Sequence, residues 1–167
     1  MRLQTMNRKL TSFILPALLC ISASHARAQN QTPANVALVG WIDPDTGLNW
    51  TKADNGSAVT WNQANAYCTN LRLGGYSDWR LPTIDELQGI YDPGIDVSGQ
   101  YADGTPAIRH VKGSLKLTGG IWSSTQKNAN ARPKPASEAW YITFDDGSRY
   151  GSPLRGGGGL HALCVRR

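Results

Sequence analysis

Apolar and polar positions along the chain form short patterned runs separated by clusters of turn-forming residues. Val36 to Ile42 is an apolar run, Asp43-Pro44-Asp45-Thr46-Gly47 is dense in turn formers, and Leu48 to Lys52 can return beside the first run, which predicts a hairpin. Two helices follow with clear start signals. Thr60 with Gln63, and Thr83 with Glu86, each fit the capping box, in which the threonine hydroxyl accepts the N3 amide and the N3 side chain reaches back to the cap amide. Behind the first cap, Trp61, Ala64, Cys68 and Leu71 recur at steps of three and four until Gly74-Gly75. Behind the second, Ile84, Leu87 and Tyr91 do so before Pro93-Gly94. The connector Ser77 to Pro82 reads as extended, with Pro82 setting the entry to the second helix.

From Asp92 to Thr118 no periodicity stands out, so a long loop region is expected. Ile121 to Thr125 reads as a strand and Lys127 to Ser137, with Pro133 and Pro135, as an exposed loop. Trp140, Ile142 and Phe144 alternate with Tyr141 and Thr143, Asp145-Asp146-Gly147 supplies a turn, and Ser148 to Ser152 returns as the second arm of a hairpin. Gly156 to Gly159 is a link, and Leu160 to Arg166 is read as one last strand.

The first 28 residues read differently. Arg2, Arg8 and Lys9 precede a mostly apolar stretch from Leu10 to Ile21, and Ala26-Arg27-Ala28 has the small-x-small form of a signal-peptidase site, so residues 1–28 are expected to be a removed signal peptide. Residues 29–35 then form a polar lead-in and 36–167 a single domain. Leu19 before Cys20 argues against lipidation of that cysteine, and no later segment has the apolar length of a membrane span. The export signal points to the periplasm or the exterior.

Charge changes little once the leader is set aside. The whole chain has 17 basic and 12 acidic residues and a net charge of +5, but four of the bases lie in the leader, which leaves 13 against 12. Nucleic acid is therefore not an expected partner. An asymmetry survives: residues 29–103 hold 9 acids and 3 bases, and residues 104–167 hold 10 bases and 3 acids. Between Asp103 and Glu138 stand Arg109, Lys112, Lys116, Lys127, Arg132 and Lys134 with His110 and no acid, a candidate basic face for an acidic or sulfated polysaccharide. The simpler account of these cations is solvated loop charge.

Cys68 and Cys164 remain after processing, and in an oxidising compartment two such cysteines are expected to pair rather than bind metal.

The blocks Asp45-Thr46-Gly47-Leu48-Asn49-Trp50, Thr60-Trp61 to Tyr67-Cys68, Leu73 to Thr83 with Glu86-Leu87, Trp122-Ser123-Ser124, Trp140 to Gly147 and Cys164-Val165-Arg166, in this order, resemble the Lcl C-terminal domain family. That bacterial family, of unknown function, takes its name from the tip domain of a collagen-like adhesin that binds glycosaminoglycans. Leu163 departs from the family pattern, in which an arginine often precedes the last cysteine. The resemblance implies an α+β, C-type-lectin-like fold, with two short helices packed on small twisted antiparallel sheets and a long loop region, related to formylglycine-generating enzymes. It also implies a disulfide from the first helix to the last strand. The segment with Asp78, Trp79, Arg80, Pro82, Thr83 and Glu86 is its most specific part and reads as architecture, Asp78 and Arg80 pairing or bonding to backbone inside the fold.

Catalysis is not expected. Formylglycine-generating enzymes use two copper-binding cysteines, and beyond the expected bridge only Cys20 of the leader remains here. His110 and His161 sit in no recognisable triad context and read as surface or satisfied histidines. Asp43 with Asp45, Asp92 with Asp96, and Asp145 with Asp146 offer oxygens for calcium, yet Glu-Pro-Asn, Gln-Pro-Asp and Trp-Asn-Asp, the sugar-binding triplets of C-type lectins, are absent from the sequence. No metal or other cofactor is expected. Two function classes remain: a secreted module that binds carbohydrate or a polyanion, and a structural or assembly module of the cell envelope without a small ligand. The sequence does not fix the oligomeric state.

Overall fold

The computed structural model describes residues 40–101, 103–127 and 137–167. The expected signal peptide and lead-in, the start of the first expected strand, and Arg132 and Lys134 in the expected exposed loop lie outside the described residues.

Strands β1 (Gly40–Ile42) and β2 (Asn49–Thr51) form the expected hairpin. Its turn is held by Asp43, whose carboxylate accepts from the Asp45 amide at 3.3 Å and the Thr46 hydroxyl at 2.5 Å. Helices α1 (Trp61–Asn70) and α2 (Ile84–Gly89) follow, each with both arms of its capping box in place. Each stops short of the end of its apolar stripe. Leu71 already has extended backbone, and Tyr91 instead bridges Val111.

The stretch read as one long loop contains more order than its composition suggests. Strands β3 (Val97–Gln100) and β4 (Pro106–Arg109) pair as a two-stranded antiparallel ladder, followed by a 3-10 turn at Lys112–Ser114. The usual alternation is inverted in β4: Ala107 and Arg109 are buried while Ile108 is about half exposed. A buried arginine and an exposed isoleucine conceal a strand from any reading that places apolar side chains inward.

The larger sheet has the order β7-β6-β5-β8, from β5 (Gly120–Lys127), β6 (Glu138–Ile142), β7 (Arg149–Pro153) and β8 (Leu160–His161). β6 and β7 are the predicted second hairpin, whereas β5 and β8 run parallel, an exception to the all-antiparallel expectation. The single last strand is also corrected. β8 joins the larger sheet, the chain leaves at Ala162, and β9 (Val165–Arg166) completes the small sheet β1-β2-β9. That switch lets one short terminal segment serve both sheets, and Arg80 adds to it through two backbone hydrogen bonds with Val165, each 2.9 Å. Nine strands in three sheets and two α-helices make the described chain α+β.

Two apolar clusters fill the interior. One gathers Trp50, Leu87, Ile121, Phe144 and Leu163. The other surrounds the Cys68–Cys164 disulfide with Ala64, Trp79, Leu81 and Trp122. Burial of this size is the main favourable term in the fold, at about 1.5–3 kcal/mol for each large apolar side chain.

Asp78 and Arg80 do not pair with each other, and Asp78 lies at the surface, not inside the fold as expected; each takes another partner. Arg80 makes two hydrogen bonds to Glu86, at 2.8 and 2.6 Å, and Asp78 receives two from Arg166, at 2.7 and 3.1 Å. Trp79 is buried with its indole N–H on the Leu73 carbonyl, and the Pro82 carbonyl accepts from the Ser124 amide at 2.7 Å.

Candidate functional site

Residues from five separated stretches meet in a cleft of about 360 Å³. Arg109 enters it from the inward face of β4, Asp145 from the turn after β6, Tyr101 from the end of β3, and Thr118 and His161 from the start of β5 and from β8. Ligand cavities run from about 300 to 1,000 Å³, so this one has room for a small polar molecule or one unit of a polymer.

Arg109 is almost wholly buried and forms an ion pair with Asp145. Its Nε donates to the Leu117 carbonyl at 3.3 Å, and the Tyr101 ring lies 4.4 Å from its Cζ. The Tyr101 hydroxyl donates to the other oxygen of Asp145 at 3.1 Å, so one aromatic ring covers the arginine and grips its counter-ion. Nη2 of Arg109 is buried with no hydrogen-bond partner among the described residues.

Beneath the cleft, His161 is fully buried against Thr118 and Asp54. Its Nδ1 is 2.9 Å from the Thr118 hydroxyl and 3.4 Å from Asp54 Oδ2. Asp54 accepts from the Thr118 amide at 2.6 Å, the Gly56 amide at 2.9 Å and the Thr118 hydroxyl at 3.0 Å. Burial alone raises the Asp54 pKa, but the bond to His161 and these amides outweigh it and hold the carboxyl below its ordinary value. An ionised Asp54 takes the threonine hydroxyl proton, so Thr118 in turn accepts from Nδ1–H of His161. Nε2 of His161 is buried and without a partner among the described residues.

Of the six cations expected to form one basic face, four are described, and each has surroundings of its own. Arg109 is a correction: it is an interior residue neutralised by Asp145, because it faces inward on β4 and a buried guanidinium needs a counter-ion. Lys112 pairs with Asp45 at 3.0 Å. Lys127 lies 3.5 Å from Glu138 and 4.4 Å from the Trp140 ring. Lys116 is exposed beside a second cavity of about 410 Å³ that shares Thr118 with the cleft. The other two, Arg132 and Lys134, lie outside the described residues.

The aspartates considered for calcium sit in separate turns or loops. Among the described residues no three His, Cys, Asp or Glu side chains come together as a metal site. His110 is partly exposed and lies 3.1 Å from Asp96. Among the described residues, too, no helix is long and apolar enough to cross a membrane.

Sequence reasoning missed the assembly of Tyr101, Asp54 and Thr118 with Arg109, Asp145 and His161. Asp145 read as a turn former and His161 as a lone histidine, and their partners lie 36 residues away for Asp145 and 43 for His161. No local spacing carries that signal.

A comparison with curated proteins finds no match. The family model described as the Lcl C-terminal domain matches residues 41–166, nearly the whole described chain, and the protein belongs to that family.

Proposed function

We propose that the protein is an exported, non-enzymatic binding module with a C-type-lectin-like fold that recognises carbohydrate in the cleft between Tyr101, Arg109, Asp145 and His161. The observation that carries this reading is the pairing of a part-exposed ring and carboxylate with two buried nitrogens that lack partners, all in residues lining one cleft. Rings and fixed carboxylates are the groups that bind sugars, through stacking and through hydroxyl hydrogen bonds. Here they are held before any ligand arrives, because Arg109 fixes Asp145 and Tyr101 bonds to it, which lowers the ordering cost of binding.

Support for a non-catalytic role comes from the histidines. His161 is oriented by Asp54 as a general base would be, but its Nδ1 faces Thr118 and its Nε2 meets no hydroxyl or thiol among the described residues. Both described cysteines are in the bridge.

A glycan array probed with the processed protein, followed by calorimetry on the hits, tests the reading. Saturable binding to a carbohydrate that weakens in Tyr101→Ala is expected. A correctly folded protein that binds no neutral, amino or acidic glycan overturns it.

A further inference from the structure

Resting on the carbohydrate reading, we infer that the cleft opens onto a second binding area, the tyrosine pair Tyr141 and Tyr150, and that the ligand is a run of several sugar units in a chain rather than a single sugar. The row of rings, its junction with the cleft and the groups that flank it each support this.

Trp122, Tyr141 and Tyr150 stand directly opposite one another on β5, β6 and β7. Opposed residues of paired strands share a face of the sheet, so these side chains form one row across three strands. Ring centroids are 6.2 Å apart for Trp122 and Tyr141 and 5.5 Å for Tyr141 and Tyr150, the two tyrosine planes lying at 30° to each other. The inner end is fixed, because Trp122 is fully buried and its indole N–H donates to the Val59 carbonyl at 2.8 Å. Tyr141 packs against the cluster around the disulfide, and Tyr150, on the edge strand, is 44% exposed. A half-exposed ring seated on a second ring and a buried third is held in place before a ligand arrives, so stacking on it costs little ordering.

The row adjoins the cleft. Gly120 and Thr143 line the cleft, and they stand two residues before Trp122 and two residues after Tyr141, on the same face and about 6.5–7 Å along the strands. The backbone of Gly120 is not left-handed, so conformation alone does not call for glycine there. Space does: an added Cβ would lie 3.3 Å from Cδ2 of Tyr141 and 2.9 Å from Cδ2 of Leu160. A longer side chain at this position would stand between the cleft and the tyrosine ring. Its absence leaves the two as one continuous surface.

The flanking groups suit a sugar chain. Thr143 and Ser148 both donate their hydroxyls to Asp146, at 2.6 and 2.8 Å, which fixes an exposed carboxylate near the junction. Alternation sends Trp140 and Arg149, the sequence neighbours of the two tyrosines, to the opposite face, where Arg149 bonds to Gln88 and Asp85. Two tyrosines set among hydroxyls and a carboxylate match the flat C–H faces and the hydroxyls of linked pyranoses, whereas a protein partner calls for a broader apolar patch. Among the described residues no strand pairs with the outer side of β7, so a chain is not stopped at Tyr150.

Calorimetry on the processed protein tests the inference, with cello-, N-acetylchito-, manno- and heparin-derived oligosaccharides as probes, each from disaccharide to hexasaccharide. Affinity is expected to rise about tenfold or more between the shortest and the longest member of the series that binds. Tyr150→Ala, a change at an exposed side chain, is expected to weaken the hexasaccharide about tenfold and the disaccharide less than about twofold. Tyr150→Phe keeps the ring and is expected to bind both like the unaltered protein. A disaccharide that binds as tightly as the hexasaccharide overturns the inference and leaves the carbohydrate reading standing. Hexasaccharide binding that Tyr150→Ala does not change, or that it weakens no more than disaccharide binding, does the same. So does sedimentation velocity in which Tyr150→Ala turns a dimer into a monomer, since a second copy then covers the row. Binding of none of the probes removes both.

Discussion

Glu86 holds Arg80 with the same carboxylate that caps its own helix. Oε2 accepts from Arg80 Nη1 and from the Thr83 amide, each at 2.8 Å, while Oε1 takes Arg80 Nη2 at 2.6 Å. The helix start and the connector are therefore one polar unit, and its charge state matters. Burial raises the Glu86 pKa, but the bonds to Arg80 and to the Thr83 amide outweigh it and leave the carboxyl below its ordinary 4.5. A depressed folded value means that the contribution is complete above about pH 5 and is lost as the pH falls through the folded value. Arg80 is 40% exposed, so the ion pair is worth no more than about 1 kcal/mol. Glu86→Gln is expected to lose that amount at pH 7 and to flatten the acid limb of a stability profile followed by urea denaturation.

The two caps provide an internal comparison. Thr60→Ala and Thr83→Ala are each expected to cost about 1 kcal/mol in chemical denaturation, because each hydroxyl satisfies an N3 amide. Thr83 sits in the more buried of the two boxes, so its loss is expected to be the larger. Two unchanged variants would show that neither box contributes.

These caps were legible in the sequence because a capping box is contained in four residues and needs nothing distant to be recognised. The first hairpin was legible for the same reason, its turn being closed by Asp43 on its own neighbours. The β3–β4 ladder was not, since Arg109 points inward and Ile108 outward, and only Asp145, brought in by the second hairpin, makes that orientation tolerable. His161 shows the same limit. Its surroundings are set by Asp54, near the start of the domain, and by Thr118, 43 residues before it, so the sequence shows the histidine but not its role.

Asp54, Thr118 and His161 form a network in which one hydroxyl both donates and accepts. Thr118→Val keeps the shape and the backbone amide to Asp54 but removes the group between carboxylate and imidazole. Leaving a buried polar group unpaired costs about 1–3 kcal/mol, the loss expected here, whereas Thr118→Ser is expected to recover most of it. Thermal melts of the two variants side by side separate the hydroxyl from the methyl group. Equal losses would assign the effect to packing.

Cys68 and Cys164 are 96 residues apart in sequence and 5.4 Å apart between Cα atoms, so their bridge closes a loop of most of the described chain. Chain entropy credits a loop of that length with about 4–5 kcal/mol through the unfolded state. Both sulfurs are buried, so reductant alone is expected to act slowly on the folded protein and quickly once denaturant opens it. Intact mass after alkylation, with and without denaturant, reads this directly. Two thiols alkylated without reductant would deny the bridge.

Gly113 and Gly56 have nearly the same backbone, φ +72° and +71°, in different surroundings. A left-handed backbone costs an alanine about 1 kcal/mol, and that part is common to both positions. The space around them is not. At Gly56 an added Cβ meets nothing within 4 Å, while at Gly113 it falls 2.6 Å from Cε2 of Trp41, inside the indole that β1 lays over this turn. Overpacking of this kind costs about 1–3 kcal/mol unless the neighbour can move away. Trp41 has little freedom to do so, because its strand is paired to β2 through Trp50 and the ring packs on the central apolar cluster. Gly56→Ala is therefore expected to lose about 1 kcal/mol, and Gly113→Ala that amount plus the overlap. The difference between the two denaturation midpoints isolates the contact between Trp41 and the turn, since the backbone cost cancels. If the two variants lose the same amount, β1 yields at that point, and the hairpin is held by its turn and its pairing with β2 without help from the indole.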